Sequence, residues 1–340
     1  MSNLNRRRFL TGAGVAAGGL ALGSGAQGQV SRVPMQVEPT QGWLSWINAT
    51  TSCLQALGCV CDAIDVAGAT GYAFVLHIPE TVGVWGPTAF QWDILHEGIP
   101  WLGRATMAYY APQQNADTYR DAFEFVTREV GAGRPCVING AFVPEFAAVV
   151  AVDEAQYHFV GAVREGPLAH DALDAPGGVY ALAFPTALTV EPGKGDRQTI
   201  NHGVQLMRQD RHPFSPNPGW GLSAWRFWMS ELLGHRANAF GNSYCAACYA
   251  DRVAHAQAFV ERVAGRQADV ELLQAAAAAY LPAVDAMRRF AAVFPFPGEA
   301  DQTVEDEISI DEGAGLLRDA QVAETEAVEA LEGALNTDWG

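Results

Sequence analysis

Thr50-Thr51-Ser52-Cys53-Leu54-Gln55-Ala56-Leu57 is the stretch on which the fold turns. Its hydroxyl residues are candidate N-caps, so the pattern predicts a helix opening at Cys53 and running to about Val66. A thiol in the first turn of a helix faces unpaired backbone N–H groups and the positive end of the helix dipole, and both favour thiolate. Cys53 is on this ground a candidate nucleophile. The plainer alternative is a buried, unreactive core cysteine.

Outward from this helix, Gly68 and Gly71 predict its end, and Tyr72–Ile78 alternates like a strand. Thr88–Glu97 reads as a helix stopped by Gly98 and Pro100. Ala105–Tyr110 reads as a strand and Ala116–Val130 as an amphipathic helix. Strands at Cys136–Asn139, Phe146–Val152, Tyr157–Val163 and Val179–Phe184 then follow with no helix between them. Helices first and strands afterwards is an α+β order, unlike the alternation that builds a parallel sheet.

Pro192-Gly193-Lys194-Gly195 marks a change of composition. Beyond it the periodicity is helical over Gln198–Arg208, Leu222–Leu233, Ser243–Val263, Val270–Ala279, Pro282–Phe294 and Ala314–Leu335, with a Pro-rich loop over Pro213–Gly219. The expected division is a lead-in over 27–44, an α+β domain over 45–190, an all-α domain over 195–298 and an acidic, partly helical tail over 299–340.

Three stretches carry a resemblance: Ser52-Cys53-Leu54-Gln55-Ala56-Leu57-Gly58, Ala69-Thr70-Gly71-Tyr72-Ala73-Phe74, and Pro144-Glu145-Phe146 continuing to Val152-Asp153. In this order, over about residues 45–185, the chain resembles the papain-like bacteriocin-processing peptidases and the butirosin-biosynthesis acyltransferase. Gly221-Leu222-Ser223-Ala224-Trp225-Arg226 is similar to the helical extension of the acyltransferase branch. The resemblance implies a papain-like N-terminal domain in which Cys53 attacks an acyl carbonyl to give a thioester. It implies a base histidine at the position of Glu145 or Phe146 and a third partner near Gly161–Arg164, where no Asp or Asn stands. Glu145 is a poor substitute, because a carboxylate beside a thiol raises the thiol's pKa. His158, on the following strand, is the imidazole nearest in sequence. Cys53, Glu145 and His158 form the candidate catalytic set, and the resemblance implies a fold retained with its hydrolytic apparatus altered or lost.

Cys245-Ala246-Ala247-Cys248 places two sulfurs on one helical face, the spacing of redox pairs and of half a zinc site. Zinc is the cofactor this spacing would fit, with His235 and His255 as further donors. Buried thiols or disulfides among the six cysteines account for the pair equally well. Trp225 and Trp228 are three apart on a helical face, as core packing requires, and are also candidate ligand contacts. Asp251 with Arg252, or Arg236 with Asn238, could line a site. The chain holds no phosphate loop, dinucleotide fingerprint, Gly-x-Ser-x-Gly elbow or His-Glu-x-x-His motif, which argues against the corresponding enzyme classes.

The start of the chain reads Asn5-Arg6-Arg7-Arg8-Phe9-Leu10, then a Gly/Ala-rich apolar run to about Leu22 and Ser24-Gly25-Ala26. This pattern is that of a twin-arginine signal cleaved near residue 26, with the twin-arginine translocase as partner and a periplasmic or extracellular destination. The apolar run, of about 14 residues, falls short of the roughly 20 that span a bilayer, so no membrane span is expected after cleavage. The 340 residues carry 21 basic against 38 acidic side chains, a net charge of −17. Together with the lack of a basic cluster, this argues against nucleic acid as a partner. Residues 299–340 hold 13 acids against Arg318 alone, so the acidity concentrates in the expected tail, a solvated segment or docking arm. Two functions stand on this reading: a cysteine-dependent acyl-transfer or hydrolase relative, or a non-catalytic binding or scaffold protein of the cell envelope with a small molecule or peptide as partner. A metal or redox protein using Cys245 and Cys248 is the third.

Overall fold

The computed structural model describes residues 30–88, 91–164, 166–191, 193–208, 219–300 and 302–339. The expected twin-arginine signal and residues 213–218 of the expected loop lie outside them. In chain order the elements are β1 (Ser31–Arg32), α1 (Ser45–Ala56), α2 (Ala63–Ala69), β2 (Met107–Ala111) and α3 (Ala116–Gly131). Strands β3 (Cys136–Asn139), β4 (Phe146–Asp153), β5 (Gln156–Val160), β6 (Pro167–Ala169) and β7 (Val179–Ala183) follow. Helices α4 (Asp196–Arg208), α5 (Ser223–Leu233), α6 (Ala239–Arg266), α7 (Glu271–Val293) and α8 (Glu307–Leu335) complete it. The architecture is mixed α+β with an antiparallel sheet.

The single helix expected from Cys53 to Val66 is two. Gly58 takes a left-handed φ of 83° just beyond α1, a conformation that costs glycine little. Asp62 then caps α2, its carboxylate accepting from the Ile64 and Asp65 N–H groups at 3.0 and 3.1 Å. Cys53 therefore lies in the last turn of α1 and Ser45 in the first. Tyr72–Ile78 is not a strand either: Gly71, at φ 80°, leads into a 3-10 turn over Tyr72–Phe74, and only His77 makes a β-bridge, to Trp220. The helix expected over Thr88–Glu97 is 3-10 structure over Trp92–Leu102.

The chain forms two compact units, one of residues up to Cys61 with Gly103–Leu188, the other of Asp62–Leu102 with Thr189–Gly340. This departs from a division near residue 190, since Asp62–Leu102 packs with the helices. In the first unit the strand order is β2-β7-β3-β4-β5-β6, every pairing antiparallel. β1 joins β4 at Ala151 and Val152, beyond the Phe146–Val149 stretch that β3 occupies. Phe146–Val152 is buried without alternation, which requires cover on both faces of the sheet. α1 and α3 both pack on β4.

The second unit is helical apart from its 3-10 turns and isolated bridges. α7 runs through Pro282, which the sequence read as a break between two helices. Both Pro282 and Ala278, whose carbonyl loses its usual partner there, face solvent, which supplies the missing bond. The acidic segment is not a free arm. α8 packs along α7 and α5 through Ile310, Leu317, Ala320, Val328 and Leu331, all buried. Arg208 pairs with Glu332 at 2.6 Å, and Arg197 donates to the carbonyls of Thr337 and Leu335. Among the described residues no helix is long and apolar enough to cross a membrane.

Candidate functional site

The start of α1 meets the start of β4. Leu44 is the N-cap and offers no side-chain bond, and the first helical residue, Ser45, accepts from the Phe146 N–H at 3.1 Å through its Oγ. Glu145 is buried beside this contact, and its carbonyl accepts from the Gly140 and Ala141 N–H groups. Asn139 sits opposite Phe146 in the β3–β4 ladder. Gly140, at φ 87°, could not carry a side chain: a Cβ there would come within 2.9 Å of the Asp174 backbone. Ser45, Asn139 and Glu145 thus gather at one end of the sheet. Ser45 and Asn139 were not among the residues singled out from the sequence, because neither belongs to a motif.

Cys53 is elsewhere. It lies eight residues further along α1, a rise of about 12 Å, with its side chain fully buried. Among the described residues no side chain hydrogen-bonds its Sγ. Burial pushes its thiol well above the usual range, the opposite of the activation expected from a first-turn position. Its charged form would also interact unfavourably with that of Cys136, itself buried and raised. His158 makes no hydrogen bond to it. The Nε2 of His158 is 2.7 Å from Asp153 Oδ2, and the residue pairs with Ala151 in the ladder, five positions along β4 from Phe146. Five strand residues span about 17 Å. No hydrogen bond joins any two of the three candidate catalytic side chains among the described residues.

In the helical unit Trp225 and Trp228 are fully buried with parallel rings 6.2 Å apart. Each indole N–H is satisfied internally, Trp225 donating to Glu324 at 2.8 Å and Trp228 to Asn242 at 2.7 Å. They are core residues, and neither offers a surface to a ligand. Cys245 and Cys248 are buried too. The Cys245 thiol points at the Gly83 carbonyl, 3.6 Å away, and burial raises its pKa. His255 is engaged with its own helix through the Asp251 carbonyl, and His235 lies 3.4 Å from Glu307. Among the described residues no three His, Cys, Asp or Glu side chains gather as a metal site would need.

Arg252 has a different setting from the site-lining role considered for it. Its side chain is wholly buried and reaches Glu324 at 2.8 Å, the Ala73 carbonyl at 3.0 Å, and the faces of Trp225 and Tyr249. The Tyr280 hydroxyl nearby is buried without a hydrogen-bond partner, and burial together with the Glu324 charge pushes it well above its usual range. Arg236 pairs with Glu231, and Asn238 caps α6 through the Gly241 N–H.

In comparisons with known proteins, the chain matches no family model and no curated protein.

Proposed function

We propose that the chain is an exported envelope protein of papain-like descent that acts by binding a small molecule or peptide, not by cysteine-dependent acyl transfer. The observation that carries this reading is the setting of Cys53: last helical turn, full burial, no hydrogen-bonding imidazole and a thiol pKa pushed up. A nucleophilic thiol needs the reverse of each. The order of elements, a helix followed by an antiparallel sheet, supports the papain-like part. Glu145 stands where the resemblance asks for histidine, and the helix start facing it bears Ser45, whose Oγ is occupied by the Phe146 N–H. A carboxylate next to an engaged hydroxyl supplies neither a nucleophile nor a proton shuttle of the required kind.

Iodoacetamide treatment of the folded chain, followed by peptide mass spectrometry, tests the reading. Cys53 is expected to remain unmodified until denaturant is added. Rapid stoichiometric modification of Cys53 in the folded state, or a thioester adduct on it with an activated acyl donor, would return the chain to the acyl-transfer class.

A further inference from the structure

We propose that Cys59 and Cys61 are a dithiol that is oxidised to a disulfide within its own loop after the protein has folded. The loop Gly58-Cys59-Val60-Cys61 carries the chain from α1 to the Asp62 cap of α2. Both of its cysteines are anchored to the end of α1: the Cys59 N–H donates to the Leu54 carbonyl at 3.0 Å, and Gln55 Nε2 donates to the Cys61 carbonyl at 2.8 Å. Between them Val60 is fully exposed, Cys59 is half-buried and Cys61 is 9% exposed. That alternation puts the two cysteines on one side of an extended segment and Val60 on the other. Residues two apart lie within about 7 Å at Cα whatever the loop does. Disulfides span about 4.4–6.8 Å at Cα and need Cβ atoms about 3.5–4.5 Å apart, so closure requires the loop to bend from its extended form and bring the two Cβ atoms together.

Accessibility singles out Cys59 as the entry point, with Cys61 two residues on as the resolving thiol. Cys53, Cys136, Cys245 and Cys248 are each 0% exposed. A protein that folds in a reducing compartment and crosses the membrane folded, as the proposed export requires, meets an oxidant with only the Cys59–Cys61 loop within reach. The inference takes its setting from that export, while its chemistry stands apart from the binding proposal. With a small-molecule disulfide such as oxidised glutathione, the Cys59 thiolate attacks one sulfur and expels the first glutathione thiol. Cys61, as thiolate, then attacks the Cys59 sulfur of the mixed disulfide and expels the second. One S–S bond forms, one breaks, and the two protons end on the two glutathione thiols.

The test uses the purified full chain, reduced, freed of reductant, and incubated folded with oxidised glutathione. Denaturation with iodoacetamide then counts the remaining thiols, and chymotryptic cleavage after Leu57 and Tyr72 releases a segment holding Cys59 and Cys61 and no other cysteine. Alkylated thiols should fall from six to about four, with that segment unalkylated and lighter than its dithiol form by two hydrogen atoms. Cys61→Ser should leave a lasting glutathione adduct on Cys59. Retention of all six thiols, or a lasting adduct on Cys59 in the unsubstituted chain, would overturn the proposal. So would loss of thiols confined to other positions.

Discussion

Arg252 on α6 and Glu324 on α8 form an ion pair of 2.8 Å in which neither side chain reaches solvent. Two charges so placed lose their hydration, and the pair is tolerated because each group is bonded elsewhere too, Arg252 to the Ala73 carbonyl and Glu324 to the Trp225 indole. Substituting one partner strands the other. Glu324→Ala is expected to lower unfolding free energy by about 3–5 kcal/mol, read as a lower urea midpoint. The double substitution Arg252→Met with Glu324→Met should recover much of that loss. A Glu324→Ala chain as stable as its parent would refute this account of the helical core.

Ser45 and Cys53 give a second contrast. Ser45→Ala leaves the buried Phe146 N–H without its acceptor, a loss of about 1–3 kcal/mol. Cys53→Ser buries a more polar hydroxyl in an apolar site and should cost a similar amount, about 1–3 kcal/mol. Denaturant titration of both variants beside the parent measures each. Ligand binding, once a ligand is in hand, should survive Cys53→Ser to the extent that the fold does.

Asp62 links stability to acid. The Arg262 guanidinium holds its carboxyl at about 2, below the ordinary 3.8. A carboxyl depressed on folding contributes stability that is complete above its unfolded value and lost as pH falls through its folded one. The contribution should therefore fade between about pH 4 and pH 2. With the Asp62 side chain 50% exposed, solvent screening keeps the ion-pair share within about 1 kcal/mol. Asp62→Asn keeps a capping acceptor and removes the charge, so its urea midpoint should lie below the parent's at pH 6 and converge with it near pH 2. A constant difference across that range would contradict the linkage.

The proposed export gives the last prediction. If the chain leaves by the proposed twin-arginine route, replacing Arg6 and Arg7 together with lysine should leave the precursor inside the cell, because that route reads the paired arginines. Cell fractionation and immunodetection decide it. Unimpaired export of the double-lysine chain would point to a general secretory signal.

Where sequence and structure part, local chemistry gives the reason. β3 was legible residue by residue, since Cys136-Val137-Ile138 is an apolar run bounded by Pro135 and Gly140. α1 was not. Its N-cap, Leu44, has no capping side chain, while Ser52, which looks like a cap, sits inside the helix with its hydroxyl bonded to the Asn48 carbonyl one turn back. That misreading moved Cys53 from the last turn to the first, and the whole catalytic reading with it. The acidic segment looked solvated on composition alone. Its spacing said otherwise: Leu317, Ala320, Glu324, Val328 and Leu331 recur at three and four, and Glu324 is the charge standing on that apolar stripe. Arg252 stands likewise between Cys248 and Ala256 on the stripe of α6. A charged residue on each of two apolar helix faces was the signal for the buried pair.

The knot of bonds around Arg252 also sets an order of events during synthesis. Ala73 lies 179 residues before Arg252, and Glu324 lies 72 residues after it. The segment Asp62–Leu102 therefore leaves the ribosome long before the helices that house it, and no amount of early, vectorial folding can give it a home. The helical unit closes only when residue 324 has emerged. A nascent chain threaded outward as it is made would reach the far side of the membrane with that segment unhoused. A route that waits for the finished polypeptide suits this topology.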